Sequence, residues 1–449
     1  MTVIGRPIED SRFRSRVRDT MEHLMPKPAK IRSLLALTLL TGACAPPSQS
    51  TPTDAGASAK DGPPAEPTTD EFFRIDAIHR IDLTADAAEW QRFLAEHKDP
   101  DATPTWHQAD LRVDGTPLKQ VAFKTFGYGS REAAPDKPNL NIDFEKNIDG
   151  QSYAGLSRFR VKNNGQDPSA LHQVVTYEAL RANGLWAPRT TFAQLYVNGQ
   201  EYGFYTVEES FGKSFVRARG AMDTGAAYEA GDCHGFMPVN GSCDNLVDQY
   251  NAAFNSATTS TGEELVAICN ALAKPADKVL TALNPILDIH EWARAIAADL
   301  AIAGDNDGFS TAASNFRLYH DPKTNKLRLI IMGPDDTYIP DWLPDPDPKK
   351  PQPADYCKDR NPGFHDVFLE QLLATAEGLA IYRDEVQALR KGAMSAARIK
   401  ERVNAIWGVT KGPVLADPKL AKDADPEGIK DGMIEFIDRR VVHLEAAGL

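Results

Sequence analysis

Two strand-like stretches, Thr190 to Val197 and Glu201 to Val207, flank Asn198-Gly199, and this arrangement constrains the fold more than any other feature of the chain. Asn-Gly supplies the left-handed backbone of a two-residue hairpin, so the two stretches are predicted to pair as antiparallel strands. Asp114-Gly115 makes the same junction between strand-like runs at 109–113 and 118–126. From Asn139 to Phe144 the alternation is strict. Leu140, Ile142 and Phe144 point one way and Asn139, Asn141 and Asp143 the other, as in a half-buried strand. Ile75 to Leu83 alternates more loosely and is also expected to be extended. Helices are expected at Asp86 to His97, with Asp86-Ala-Ala-Glu89 as a capping box, and after Asp167-Pro168. In the second case the proline sits where its missing N–H does no harm, Leu171, Val174 and Val175 form an apolar face, and Gly184 ends the helix.

The second half reads as mainly helical. Asp288 to Ala303 carries Ile289, Trp292, Ala293, Ile296 and Leu300 on one face, a stripe expected to pack in the core. A polar loop (304–315), a strand (316–320), a turn at Asp321-Pro322 and a second strand (326–332) follow. Beyond a Pro-rich loop from about 340 to 362, helices are expected over 364–376, 381–391, 395–407 and 427–446. There is no internal repeat. The pattern predicts an α+β fold, with a mostly antiparallel sheet first and helices after it.

With 449 residues, 42% of them hydrophobic, the chain can build one large two-lobed domain or two medium ones. Its formal charge of −13 repels phosphate backbones and argues against a nucleic-acid partner. The first 70 residues are not expected to belong to the fold. Lys27, Lys30 and Arg32 precede a short apolar run, Ser33 to Leu40, too short to span a bilayer as a helix. Leu40-Thr41-Gly42-Ala43-Cys44 follows and resembles the lipobox of bacterial lipoproteins, in which the peptide is cut before the cysteine and the cysteine is acylated. Thr41 is a less usual residue than Leu at its place, and an ordinary signal peptide cut nearby would equally give export. The late apolar run points to Met21 or Met25 as the start. Residues 45–70, rich in Pro, Ser, Thr, Ala and Asp, read as a flexible tether ahead of a folded part at 71–449. The resemblance implies an extracytoplasmic, membrane-anchored protein, and Ala45 in place of Asp favours the outer membrane or cell surface. The other four cysteines are Cys233, Cys243, Cys269 and Cys357. An even number in an exported chain reads as two disulfides. Cys233 and Cys243, which flank a Gly-containing loop, are the expected pair.

The stretch from Gly304 to Tyr338 is the one that could carry chemistry. A buried helix leads into a polar loop with Asp307 and Asn315, then two strands, then Asp335 and Asp336. Phosphoryl transfer needs a carboxylate to orient the attacking hydroxyl and oxygen ligands to hold magnesium against the phosphates. Asp307 and Asn315 are 8 positions apart, and Asp335 lies 28 beyond Asp307. A hairpin can return that later Asp beside the loop it left. On the residues alone, a plain Asp-rich turn or a weak calcium loop remains open. An EF-hand does not, because Phe316 falls where the bidentate Glu is needed.

The span from about 72 to 340 resembles the CotH family of atypical, secreted protein kinases. The resemblance rests on the order of several motifs. These are the Trp90 helix, Val121-Ala-Phe-Lys124 with Gly127-Tyr-Gly-Ser130, and Lys137-Pro138-Asn-Leu140-Asn-Ile-Asp-Phe144. Asp167-Pro168-Ser169, Tyr196-Val-Asn198-Gly199 with Glu208-Glu209, and Asn315-Phe-Arg-Leu-Tyr319 complete the series. The resemblance implies a two-lobed kinase-like fold, with an N-lobe at about 71–215 and a C-lobe at about 216–449. It implies a Mg-ATP-dependent (or Mn-dependent) kinase acting on Ser or Thr of exported proteins. Asp307 would be the catalytic carboxylate, and Asp335 a metal ligand, with Asn315 as a possible second and Asp336 able to compensate. Lys137 or Lys124 would contact ATP phosphates beneath a loop of Gly127, Gly129 and Ser130, and Glu209 falls at a position the family favours. Two departures stand out: Met332-Gly333-Pro334-Asp335-Asp336 replaces the family's Trp-Asp motif, and Tyr128 stands where Asn is frequent. They keep open a kinase-shaped binding or structural module without catalysis, and more distantly a calcium-stabilised domain.

Overall fold

The computed structural model describes residues 66–230, 233, 235–254, 262–341 and 366–449. The export signal with Cys44, residues 45–65, Cys357 and all but the start of the Pro-rich loop lie outside the described residues. Folded structure begins earlier than expected. The turn α1 (Thr69–Phe72) is capped reciprocally by Thr68 and Glu71 and buries Phe72. Thr69 Oγ1 donates to Ala154 O at 2.6 Å, so the last residues assigned to the tether are docked.

The strands of the first half are β1 (Ile78–Ala85), β2 (His107–Val113), β3 (Thr116–Lys124), β4 (Leu140–Asp143), β5 (Arg158–Lys162), β6 (Thr190–Val197) and β7 (Gln200–Glu209). They form a closed barrel in the order β1-β2-β3-β4-β5-β7-β6. The expected antiparallel pairing holds throughout except at the closure, where β1 runs parallel to β6 with Ile81 opposite Leu195. The mostly antiparallel N-lobe sheet expected from the sequence is thus present, closed into a barrel. β1 finds a partner on each side, so no edge is left unpaired. Both predicted hairpins form, and Asn198 and Gly199 both take positive φ. Ile81, Phe123, Ile142, Phe159, Leu195 and Val207 belong to the barrel core. Helix α2 (Ala87–Lys98) starts where Asp86 accepts from the N–H groups of Ala88 and Glu89, and adds Trp90 and Phe93 to that core.

Two further helices lie between barrel strands, the single turn α3 (Gly129–Ala133) and α4 (His172–Ala182). The motif Asp167-Pro168 does not open α4. Its carboxylate reaches forward instead, Oδ1 accepting from Ser169 N at 3.0 Å and Oδ2 from His172 N at 2.8 Å. The first helical residue is thereby moved to His172.

The second half contains α5 (Lys213–Ala218), α6 (Glu263–Leu272), α7 (Ala276–Leu283), α8 (Ile289–Ile296), the turn α9 (Phe309–Ala312), α10 (Val367–Leu373), α11 (Ala376–Lys391), α12 (Ala396–Leu415) and α13 (Pro426–Ala446). It also holds a four-stranded sheet, ordered β11-β10-β8-β9, from β8 (Ala227–Ala230), β9 (Tyr250–Phe254), β10 (Phe316–Asp321) and β11 (Lys326–Ile331). The expected Asp288–Ala303 helix is α-helical to Ile296 and π-helical over Ala297–Ala303. Trp292 anchors this half, fully buried, with its indole N–H donating to Leu327 O at 2.9 Å. Among the described residues no helix is long and apolar enough to cross a membrane.

The expected Cys233–Cys243 pairing is corrected. Cys243 is bonded to Cys269, tying the turn before Asp244–Gln249 to α6. Cys233 is disulfide-bonded as well, but not to Cys243. Its backbone N–H donates to Ala312 O at 2.8 Å, which commits it to the end of α9.

Candidate functional site

The site is built where the outer face of the barrel meets the segment after β11. Along β5, Phe159 and Val161 point into the barrel, so Arg158, Arg160 and Lys162 point out. Lys162 Nζ lies 3.1 Å from Asp335 Oδ2 and also donates to Gln173 Oε1 on α4. The Gln173 amide donates to Glu208, which β7 places opposite Arg160. Tyr177, one turn along α4, donates to the same carboxylate at 3.4 Å and accepts from Gly333 N at 2.7 Å. The barrel, α4 and the 332–336 segment thus meet around one lysine and one aspartate.

The polar loop supplies the other half. The π-helical stretch ends at Gly304, and Asp305 Oδ1 accepts from Asp307 N at 3.1 Å. Asn315 Nδ2 donates to both Asp307 Oδ2 (2.9 Å) and Asp307 O (3.1 Å), so it holds that carboxylate in one orientation. The β10–β11 hairpin returns the chain as its spacing predicts. Met332 N donates to Asn315 O at 2.7 Å, and Asn306 N to Asp336 O at 3.2 Å. Gly333 has φ +56°, and a Cβ there would fall 3.1 Å from Asn315 Oδ1. An aspartate at 333 would be strained and crowded, so the carboxylate facing Lys162 comes from Asp335.

Of the expected glycine turn, Ser130 lines the same place, and Gly127 and Gly129 adjoin Ser130 and Gln166 beside it. Ser130 Oγ accepts from Asn139 Nδ2 at 2.8 Å and Ser130 O from Asn163 Nδ2 at 3.0 Å, while a Cβ on Gly129 would lie 3.3 Å from Gln166 Nε2. Ser130, Lys162, Gly165, Asp167, Gln173 and Asp335 line one small cleft.

Three residues singled out from the sequence lie elsewhere. Lys137 is buried, its ammonium donating to Asp417 Oδ2 at 2.6 Å and Phe204 O at 2.7 Å. The expected contact with phosphates is therefore replaced by an internal ion pair. Lys124 sits 4.9 Å over the half-exposed Trp106 ring, shared with Lys146 at 5.0 Å. Glu209 is buried between Arg189 Nη2 (2.6 Å) and Arg219 Nη2 (2.9 Å). Burial pushes its carboxyl up, but the two guanidiniums outweigh this and hold it below the usual range. Glu209 braces β7 rather than facing the cleft.

Electrostatics under the loop run the other way. Burial, reinforced by Asp335, pushes Asp336 up to about 6. Burial, then Asp299, Asp307 and Asp336, raises Asp305 well above the usual carboxylate range, and burial raises Asp299 to about 7. The sequence reading missed Lys162, Gln173 and Asp299. A signal for Lys162 existed: Arg158 to Lys162 alternates and ends at Asn163-Asn164-Gly165, the marks of a strand and a turn.

Among the described residues no three His, Cys, Asp or Glu converge as a complete metal cage. Magnesium is usually held by one or two carboxylates plus substrate phosphates. Asp335 and its neighbour Asp336 supply that number of carboxylates, and Asn315 Oδ1 lies near Gly333, two residues before Asp335.

A comparison with curated proteins finds no match. Among solved structures the chain is similar to the Helicobacter pylori proinflammatory kinase CtkA, at 11% identity over 69% of this chain and 92% of that one, with a TM-score of 0.31. The profile of the CotH kinase protein family matches residues 123–444, from the end of β3 to the end of α13. That is well over half the sequence, and the chain belongs to the CotH kinase family.

Proposed function

We propose that the protein is a two-lobed, ATP-dependent protein kinase that phosphorylates Ser or Thr of exported proteins. It would work outside the cytoplasm, held to a membrane through Cys44. Lys162 binds nucleotide phosphates beneath the Gly127–Ser130 turn. Asp335, with Asp336 or Asn315, holds magnesium or manganese, which offsets charge on the transferring group when bound. Asp307, oriented by Asn315, directs the acceptor hydroxyl and takes its proton. The observation that carries this reading is the 3.1 Å contact between Lys162 and Asp335, beside the Asn315-held Asp307.

The test is transfer of γ-labelled phosphate from ATP, with magnesium or manganese, to the protein itself or a generic acceptor. Asp307→Ala, Asp335→Ala and Lys162→Ala should each lower transfer by about 100-fold or more, whereas Lys124→Ala should leave it unchanged. Undiminished transfer by the Asp307 and Asp335 variants would refute the assignment. The replacement of the family's metal-motif aspartate by Gly333 favours a second reading, a kinase-shaped binding module. That reading predicts no transfer and no thermal shift with Mg-ATP.

A further inference from the structure

Lys137 and Asp417 are 280 positions apart, yet their side chains meet at 2.6 Å with only 8% and 4% of their surface exposed. A buried ion pair must offset the desolvation of both charges and is weak evidence for stability on its own. What it joins is more informative. Asp417 lies just after α12 (Ala396–Leu415), in the turn towards α13. Its Oδ2 accepts also from Phe204 N of β7 at 3.1 Å, and its Oδ1 from Lys419 N at 2.7 Å. Gly203 has φ +143°, and a Cβ there would fall 2.6 Å from Asp417 Oδ1, so only glycine lets the turn approach this closely.

From Lys137 the contacts continue to the cleft. Lys137 O accepts from Asn163 Nδ2 at 2.7 Å, and the same amide donates to Ser130 O at 3.0 Å. Asn163 N donates to Asn139 Oδ1 at 2.7 Å, and Asn139 Nδ2 to Ser130 Oγ at 2.8 Å and Phe126 O at 3.2 Å. Asn163 is the neighbour of Lys162. One unbroken path therefore runs from the C-terminal helices to both the glycine turn and the lysine that faces Asp335.

We propose that Lys137 and Asp417 form a positioning clasp, which pins the α12–α13 turn to the barrel and so sets the spacing between Gly127–Ser130 and Lys162. The proposal rests on the kinase reading and goes beyond it. It assigns a role in nucleotide affinity to two residues that would not touch nucleotide. Displacements of about 1 Å at a reacting site can cost up to about 100-fold, so a clasp of this kind is read in kinetics before stability.

The experiment compares wild type with Asp417→Asn and with the apolar double variant Lys137→Met/Asp417→Leu. The double variant leaves no charge stranded in the interior. Expected are a KM for ATP and a calorimetric Kd for Mg-ATP raised about tenfold, with the KM for acceptor and the Tm of the double variant unchanged. A double variant with wild-type Tm and wild-type ATP affinity would overturn the clasp. If the double variant does not fold, Asp417→Asn decides, because it removes the charge and keeps an acceptor oxygen. Failure of both to fold would make the pair purely structural and also overturn the proposal. If wild type itself neither binds nor uses ATP, the kinase reading falls first, and the variants are not needed to see it.

Discussion

Asp299 sits in the π-helical stretch below the polar loop, its Oδ2 accepting from Phe309 N at 3.1 Å and its carboxyl beside that of Asp305. Burial raises Asp299 to about 7 and Asp366 to about 6. Both values exceed the unfolded value of about 3.9, so the folded state holds these protons more tightly. Their contribution to stability is full below the unfolded value and is lost as pH rises through the folded one. In EDTA the Tm should fall between about pH 5 and pH 8, and Asp299→Asn, which cannot ionise, should flatten the upper part of that fall. A Tm that climbs over this range, or an unchanged slope in the variant, would contradict it. At this scale the sequence was only partly legible. Asp307, Asn315 and Asp335 were marked by their spacing, and the fold joins Asn315 to Asp307 and to Met332, and Asn306 to Asp336. Lys137 and Lys162 are chemically the same residue, and only the placement of Asp417 and Asp335 separates an internal ion pair from a cleft lysine.

At the scale of elements, local signals were read well and non-local ones were not. The turns at Asp114-Gly115 and Asn198-Gly199 form because the backbone preference lies within the two residues themselves. Asp167 misled because its carboxylate caps a helix that starts five residues later, a choice made by the fold around it. β8 and β9 were missed, since each depends on pairing with a distant strand, β8 on β10 and β9 on β8. The cysteines show the same limit: four allow three pairings, and loop proximity chose the wrong one. The Cys243–Cys269 bond closes a segment of 26 residues. Replacing both cysteines by serine should therefore lower stability by about 2–4 kcal/mol in denaturant titration. Non-reducing peptide mapping should return the Cys243–Cys269 pair, and a Cys233–Cys243 peptide would refute it.

For the whole molecule, the proposal of an anchored, exported kinase joins two separate lines of reasoning. The family rests on the folded part, and the anchor rests on Leu40 to Cys44. In a bacterial host the full chain should incorporate labelled palmitate and partition into the detergent phase on Triton X-114 separation. Cys44→Ser should abolish both. Acylation that survives the substitution would rule out Cys44 as the anchor.

What the sequence determined by itself was the local grammar: hairpin turns, helix caps, the α+β order, and the run of motifs that marks a CotH kinase. Those signals act between residues a few positions apart, where backbone preference and side-chain period suffice. Tertiary structure alone decided that the sheet closes into a barrel, that Cys243 pairs with Cys269, and that Lys162 rather than Lys137 faces Asp335. Each of these joins groups far apart in the chain. Their meeting depends on how the apolar cores of the two halves pack, which no local pattern encodes.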